Sequence, residues 1–464
     1  MFNKETYQQR RARLASEIGR GLILFAGNNE SGANYADNTY PFRQDSTFLY
    51  FFGLDRPGLT AIIDADEGTE TIFGDEATID DIVWTGTLPT IQQEAALSGI
   101  LHTAPAAQLH RCIADARAAQ RPVHYLPPYR GDHRVQLLDL LDIPPEQQRA
   151  QASIPFVRAV VNQRAYKTTE EIAQIEQAVD VSAEMHLAAM CVTRPGMKES
   201  EVAAAVTAAA LCEDFQLAFP VIATINGQTL HNHHHGNTCK KGNLFLLDAG
   251  AENPMHYAGD LSSTFPVGRR FTSPQRVIYD VALQAHRAAV AALRPGVPFR
   301  DVHFIAAAAI VEGMKAIGLM TGDTAEAVRA GAHALFFPCG TGHMMGLDVH
   351  DMENLGELWV GYDGQPKSAL FGLKSLRLAR PLEPGFVLTI EPGIYFIPEL
   401  VDRWRAEKRF EQFIRYNRIA PYMHVGGIRN EEDYLITADG ARRLGKYIPT
   451  TIDEVETLRA EAFD

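Results

Sequence analysis

Over residues 1–160, short apolar runs bounded by glycine or charge alternate with stretches of helical spacing. RGLILFAG (20–27) and GLTAIIDA (58–65) have the length and flanks of buried strands, and IQQEAALSGILH (91–102) repeats its apolar positions at helical spacing. The pattern predicts an α/β domain over residues 1–160 with no acid–base cluster of its own. Near Val157–Lys167 a strand-like stretch gives way to a long helix, TTEEIAQIEQAVDVSAEMHLAAM (168–190), opened by a threonine cap and early glutamates. A second domain is expected over 161–464.

Within 161–464 the same order of elements occurs twice. The first helix runs into Arg194-Pro195-Gly196 and then ESEVAAAVTAAA. A later helix, SPQRVIYDVALQAHRAAVAAL (273–293), runs into Arg294-Pro295-Gly296 and then RDVHFIAAAAI. Proline and glycine explain each stop alone; the shared order suggests two related halves about a pseudo-twofold axis. Chance likeness of two alanine-rich helices is the alternative. Each half then supplies strands. NLFLLDAG and HYAGDLSSTFPVG flank a turn at Glu252-Asn253-Pro254, a β-hairpin carrying Asp248 and Asp260, while GFVLTIEPG and IRNEEDYLIT read as strands carrying Glu391 and Glu431.

Those four carboxylates and His343 stand in short glycine-flanked segments: LFLLDAG (244–250), YAGDLSS (257–263), GTGHMMG (340–346), LTIEPG (388–393) and GGIRNEED (426–433). Taken singly, an aspartate or glutamate ending a strand is usually a solvated turn residue. Converging, they would repel strongly unless cations sat between them, because unpaired buried carboxylates cost several kcal/mol each. An oxygen-rich set with one nitrogen suits two hard divalent ions, Mn²⁺ first, better than a thiolate-type zinc site.

Composition narrows the field. A net charge of −14 over 464 residues argues against nucleic acid or an anionic membrane as the main partner. The five cysteines are odd in number without CxxC spacing, as in reduced thiols of a cytoplasmic protein. MFNKETYQQRRARL is polar and charged, unlike a secretory signal, and no run approaches the ~20 apolar residues of a membrane span. The expectation is a soluble, cytoplasmic protein.

DAGAENPMHYAGD, GHMMGLDVHD, LTIEPGIYF and GGIRNEED, in that order, resemble the ligand motifs of the metallopeptidase family that includes prolidase (Xaa-Pro dipeptidase) and aminopeptidase P. YPFRQDSTFLYFFGLDRPG (40–58) is similar to the non-catalytic domain that precedes their "pita-bread" catalytic fold. The resemblance implies an α/β N-terminal domain followed by an α+β pita-bread domain with internal pseudo-twofold symmetry. It implies two Mn²⁺ ions per subunit, with Co²⁺ or Zn²⁺ as substitutes, held by Asp248, Asp260, His343, Glu391 and Glu431. Asp260 and Glu431 would bridge the ions, and Glu391 would also act as general base. Hydrolysis of Xaa-Pro bonds by a hydroxide held between the ions would follow. His350 and His231 would contact substrate, and Arg429 would orient the ligand carboxylates. The substrates would be Xaa-Pro dipeptides or short proline-containing peptides, and the family's N-terminal domain suggests a homodimer.

GLKSLRLARPLEPGFVLTIEPGIYFIPEL (372–400), with a long insertion to His424, looks more like prolidase than aminopeptidase P. Arg377 falls where prolidases grip the substrate's C-terminal carboxylate, a strong, geometric pairing; a surface role beside Arg380 is its alternative. The reading is therefore a dipeptidase, with an aminopeptidase on longer peptides as alternative and a non-catalytic binding protein as a remote one. Phe42, Tyr50, Tyr257 and Tyr395 are aromatics for a proline pocket or, individually, for ordinary core packing. His233, His234 and His235 read as a solvated or weakly metal-scavenging loop. Two departures concern chemistry: Cys339 stands where the family commonly has histidine, and DLSSTFP stands where DITRTFP is frequent.

Overall fold

The computed structural model describes residues 1–464, which divide into two compact units: 1–164 with 352–359, and 165–351 with 360–464. The first unit is built on a five-stranded sheet ordered His102–Ala104, Thr69–Phe73, Thr60–Asp64, Leu22–Ala26, Val123–His124. Leu22–Ala26 runs antiparallel to Thr60–Asp64, with Leu22 opposite Asp64, and parallel to Val123–His124. An apolar run of this kind needs cover on both faces. Leu22 and Leu24 pack with Leu109, Ile113, Leu137 and Leu140 from the helices Gln108–Ala118 and Gly131–Leu141. Phe25 meets Phe51, Phe52 and Phe156 at ring-centroid distances of 5.3, 5.0 and 5.1 Å.

Two expectations of local structure change. The strand-like stretch from Val157 is the end of a helix, Ile154–Arg164. Its valines suggested a strand, but Val157, Val160, Val161 and Arg164 are buried at helical spacing, and packing overrides β-propensity. Residues 91–102 are helical only over Ile91–Leu97; Gly99 at φ 77° ends the turn and His102 begins a strand. The helix Ile79–Thr85 has no buried residue, leaving Ile79, Val83 and Trp84 in solvent. Residues 352–359 join this unit through Arg149, which bonds the Asn354 carbonyl, and Arg158, whose guanidinium lies 5.7 Å from the Trp359 ring.

The second unit contains the repeated order. Thr168 caps the helix Thr169–Val192 reciprocally with Glu171, and the helix Glu199–Leu211 follows. Ser273–Ala291 and Phe299–Ala316 form the second pair. Gly196 and Gly296 take φ of 99° and 83° at matching stops, and their amides bond the carbonyls of Cys239 and Leu382. Lys198 bridges Thr238, and Pro298 bridges Pro381.

Leu244–Ala249 pairs antiparallel with Leu261–Pro266, placing Asp248 opposite Ser262. Val387–Ile390 pairs with Glu432–Ile436, and Gly393–Tyr395 with Gly427–Arg429. The halves join where Ser262 bridges Glu431 and where Thr264 Oγ1 donates to the Arg429 carbonyl and accepts its amide. Only Asp248 of the four carboxylates lies within a regular strand; Asp260 and Glu391 flank strand ends, and Glu431 makes a single bridge. No helix is long and apolar enough to cross a membrane, and all five cysteines are free thiols.

Candidate metal centre

The loop carrying His343 is held on the edge of Val387–Ile390. His343 and Thr389 exchange backbone contacts: the Thr389 amide bonds the His343 carbonyl at 3.0 Å, and the His343 amide reaches Thr389 Oγ1 at 3.3 Å. Gly342 permits this approach, since a β-carbon there would lie 2.0 Å from the Thr389 carbonyl oxygen. The Glu391 amide bonds the Thr341 carbonyl at 2.7 Å, so both functional side chains hang from one ladder.

His343 Nδ1 lies 3.0 Å from the Met344 carbonyl and donates to it, which makes Nε2 the lone-pair nitrogen of a neutral ring. That Nε2 stands 3.3 Å from Asp260 Oδ2 and 3.8 Å from Glu391 Oε1. Ligand atoms of Asp260, His343 and Glu431 all fall within 4.8 Å of one another. Asp260 Oδ1 and Glu431 Oε1 are buried with no hydrogen-bond partner. Burial, and then neighbouring carboxylates, hold both carboxyls well above their usual range. Orphaned buried oxygens around an imidazole lone pair are what a hard divalent cation relieves, so the residues fit a metal centre.

Arg429 sits behind the cluster, 3 % exposed. It is ion-paired to Asp248, donates from Nε to Ser262 Oγ at 2.9 Å and from Nη1 to the Tyr395 hydroxyl at 2.9 Å. Ser262 Oγ in turn donates to Glu431 Oε2 at 2.7 Å. Ser263 is bonded to His186 Nδ1 at 2.6 Å, while His186 Nε2 meets the Ala249 carbonyl at 3.1 Å. Burial pushes His186 down to about 4, so it is neutral, donating from Nε2 and accepting from Ser263. The Asp260 amide donates to Asp433 Oδ2 at 3.1 Å. His186 lies in no ligand motif, and Asp433, although it closes GGIRNEED, gave no sign of its role; both act across long stretches of chain.

A cavity of about 600 Å³ opens onto these groups and is lined by Asp248, Asp260, His343, Glu391 and Glu431 together with His231, His350, Arg377, Arg429 and Cys339. The ring of His350 meets that of His343 edge to face at 4.2 Å. Burial, and then the charge of Arg429, hold His231 below its ordinary range, so it is neutral near pH 7. Burial pushes the Cys339 thiol up to about 12, which keeps it protonated. His233 also lines the cavity, whereas His235 bonds the Val221 carbonyl and His234 is exposed. His233 and His234 are both exposed, His233 at the rim of the cavity.

The apolar wall comes from Phe219, Ile222, Leu230, Val349 and Phe371. None of the four aromatics weighed from sequence lines this cavity. Tyr50 is core, Phe42 lines a separate hollow of the first unit, Tyr257 donates to Glu171 and Tyr395 accepts from Arg429.

Residues 173–438 match the family described as Metallopeptidase family M24, and residues 7–124 match Aminopeptidase P, N-terminal domain. The chain is similar to Xaa-Pro dipeptidase of Homo sapiens, 28 % identical over 95 % of this chain and 88 % of the relative. It is similar as well to Xaa-Pro aminopeptidase of Escherichia coli, 29 % identical over 99 % of both. Among solved structures, aminopeptidase P from E. coli with the inhibitor Pro-Leu superimposes with a TM-score of 0.81 at 27 % identity, covering 100 % of this chain and 99 % of that one.

Proposed function

The chain belongs to metallopeptidase family M24, with its pita-bread fold, and from that premise we propose that it hydrolyses Xaa-Pro bonds at peptide N-termini as an Xaa-Pro dipeptidase. The observation that carries the subtype is Arg377 lining the same cavity as the carboxylate cluster. A guanidinium there pairs with a free C-terminal carboxylate one residue beyond the scissile bond, and a longer peptide forfeits that pairing.

Asp248, Asp260, His343, Glu391 and Glu431 would hold two divalent ions, Mn²⁺ first. When bound, such ions polarise a carbonyl and acidify water. The rest belongs to the chain itself. Glu391, whose side chain is 20 % exposed and the most open of the cluster's contacting groups, takes a proton from water and returns it to the leaving nitrogen. His350 donates toward the carbonyl oxygen as charge develops on it. Neutral His231 lines the same cavity as an adaptable donor or acceptor beside substrate. Arg429 and Ser262 hold Asp248 and Glu431 in place.

Full-length similarity to the E. coli enzyme supports the second reading, an aminopeptidase on longer peptides. Turnover of Ala-Pro beside Ala-Pro-Ala, by wild type and Arg377→Ala loaded with Mn²⁺, separates the two. Dipeptide preference lost in the variant supports the dipeptidase; tripeptide preference unchanged in the variant overturns it.

The same reading includes a cytoplasmic homodimer. Free cysteines support the compartment. The exposed Ile79, Val83 and Trp84, 75, 72 and 85 % exposed, support a partner-covered face. Sedimentation as a monomer, unchanged by Trp84→Ser, would reject the dimer.

A further inference from the structure

Arg377 lies in a segment, 361–380, that contains no helix or strand, so no ladder of its own fixes where the side chain starts. Two adjacent residues supply that fixation. The Gly361 carbonyl accepts the amides of Ala379 and Arg380 at 2.8 and 2.9 Å. A β-carbon on Gly361 would lie 1.8 Å from the Arg377 carbonyl oxygen, so only glycine lets the two backbones close to this distance. From the other side, the buried Tyr362 hydroxyl donates to the Leu376 carbonyl at 2.7 Å. The peptide unit before Arg377 is thereby bonded to Tyr362, its own carbonyl packs on Gly361, and Ala379 and Arg380 just beyond it are bonded to the Gly361 carbonyl.

We infer that Gly361 and Tyr362 are positioning residues for substrate-length selection: they set the root of Arg377 and so determine how well the cavity grips a dipeptide's carboxylate. The inference rests on the dipeptidase reading of Arg377. An arginine on a loosened loop still carries its charge but must be ordered on each binding event. The loss therefore falls on binding of the substrate that uses Arg377 and leaves the bond-breaking groups untouched.

The test is steady-state kinetics of the Mn²⁺-loaded enzyme on Ala-Pro and Ala-Pro-Ala for wild type, Tyr362→Phe, Gly361→Ala, Arg377→Ala and the Tyr362→Phe/Arg377→Ala double variant. Tyr362→Phe should raise KM for Ala-Pro about fivefold, the effect of one lost hydrogen bond. Its kcat, and both constants for Ala-Pro-Ala, should hold. In the double variant Tyr362→Phe should add nothing, since its route runs through the missing arginine. Equal losses on both substrates, or an additive loss in the double variant, would make Tyr362 merely structural and overturn the inference. An unchanged Ala-Pro KM in Tyr362→Phe while Arg377→Ala raises it would overturn the inference and spare the dipeptidase reading. If Arg377→Ala itself leaves the substrate ratio unchanged, that reading falls and the inference with it. Tyr362→Phe keeps the ring, so it decides the matter even where Gly361→Ala fails to fold.

Discussion

Ser262 Oγ donates to Glu431 Oε2 at 2.7 Å, joining residues 169 positions apart, and accepts from Arg429 Nε at 2.9 Å. Ser262→Ala leaves Glu431 without this donor and Arg429 Nε without this acceptor. Retained metal after dialysis should fall, with an affinity lower by about 10–100-fold, as for other partners of metal ligands. Elemental analysis and a metal titration check it; wild-type metal retention in the variant would remove Ser262 from the centre's support.

Metal removal tests the cluster as a whole. The orphaned oxygens of Asp260 and Glu431 make the metal-free fold the less stable one. Chelated protein should melt at lower temperature than Mn²⁺-loaded protein, by a gap equivalent to about 2.7 kcal/mol when free metal stands at 100 times its Kd. A melting temperature indifferent to Mn²⁺ would speak against a cation among these carboxylates.

Gly342→Ala drives a β-carbon against the Thr389 carbonyl, which is backbone and has nowhere to go. The His343 loop must separate from its strand, at a cost of about 1–3 kcal/mol. Denaturant unfolding should show that loss, and activity should fall further than at Gly440→Ala, where a β-carbon meets nothing.

A pH effect is expected away from the centre. Glu454 accepts from Tyr447 and from Thr451, which caps the helix Ile452–Phe463, and these bonds lower its carboxyl from 4.5 to about 2. A depressed folded-state value stabilises the protein above the unfolded value, and the contribution disappears as pH falls through about 2. Urea midpoints of wild type and Glu454→Gln should therefore differ at pH 6 and converge between pH 4.5 and 2. A difference that persists undiminished at the acid end would contradict the linkage.

Much of the fold could be read in advance because its signals are local. Arg-Pro-Gly after each long helix marks two glycines that do take left-handed φ at equivalent stops. The Thr168 cap closes on Glu171 as its spacing requires. The cluster residues were visible because each stands close to glycine in a short apolar segment. What escaped was set by tertiary contact. Val157 and its neighbours looked like a strand until their burial fixed a helical face. His186, Asp433 and Tyr362 act through bonds to Ser263, Asp260 and Leu376, and only the first two pairs reach across more than a few turns of chain. The aromatic wall went to Phe219 and Phe371, which no motif marks.

Residues 352–359 belong with the first unit although they lie nearly two hundred positions after it ends in sequence. The chain thus visits that unit twice, and no single cut separates the two bodies. Removing residues 1–164 would strand Asn354 and Trp359 without Arg149 and Arg158. Any exchange of the opening third therefore also has to accommodate eight residues far downstream.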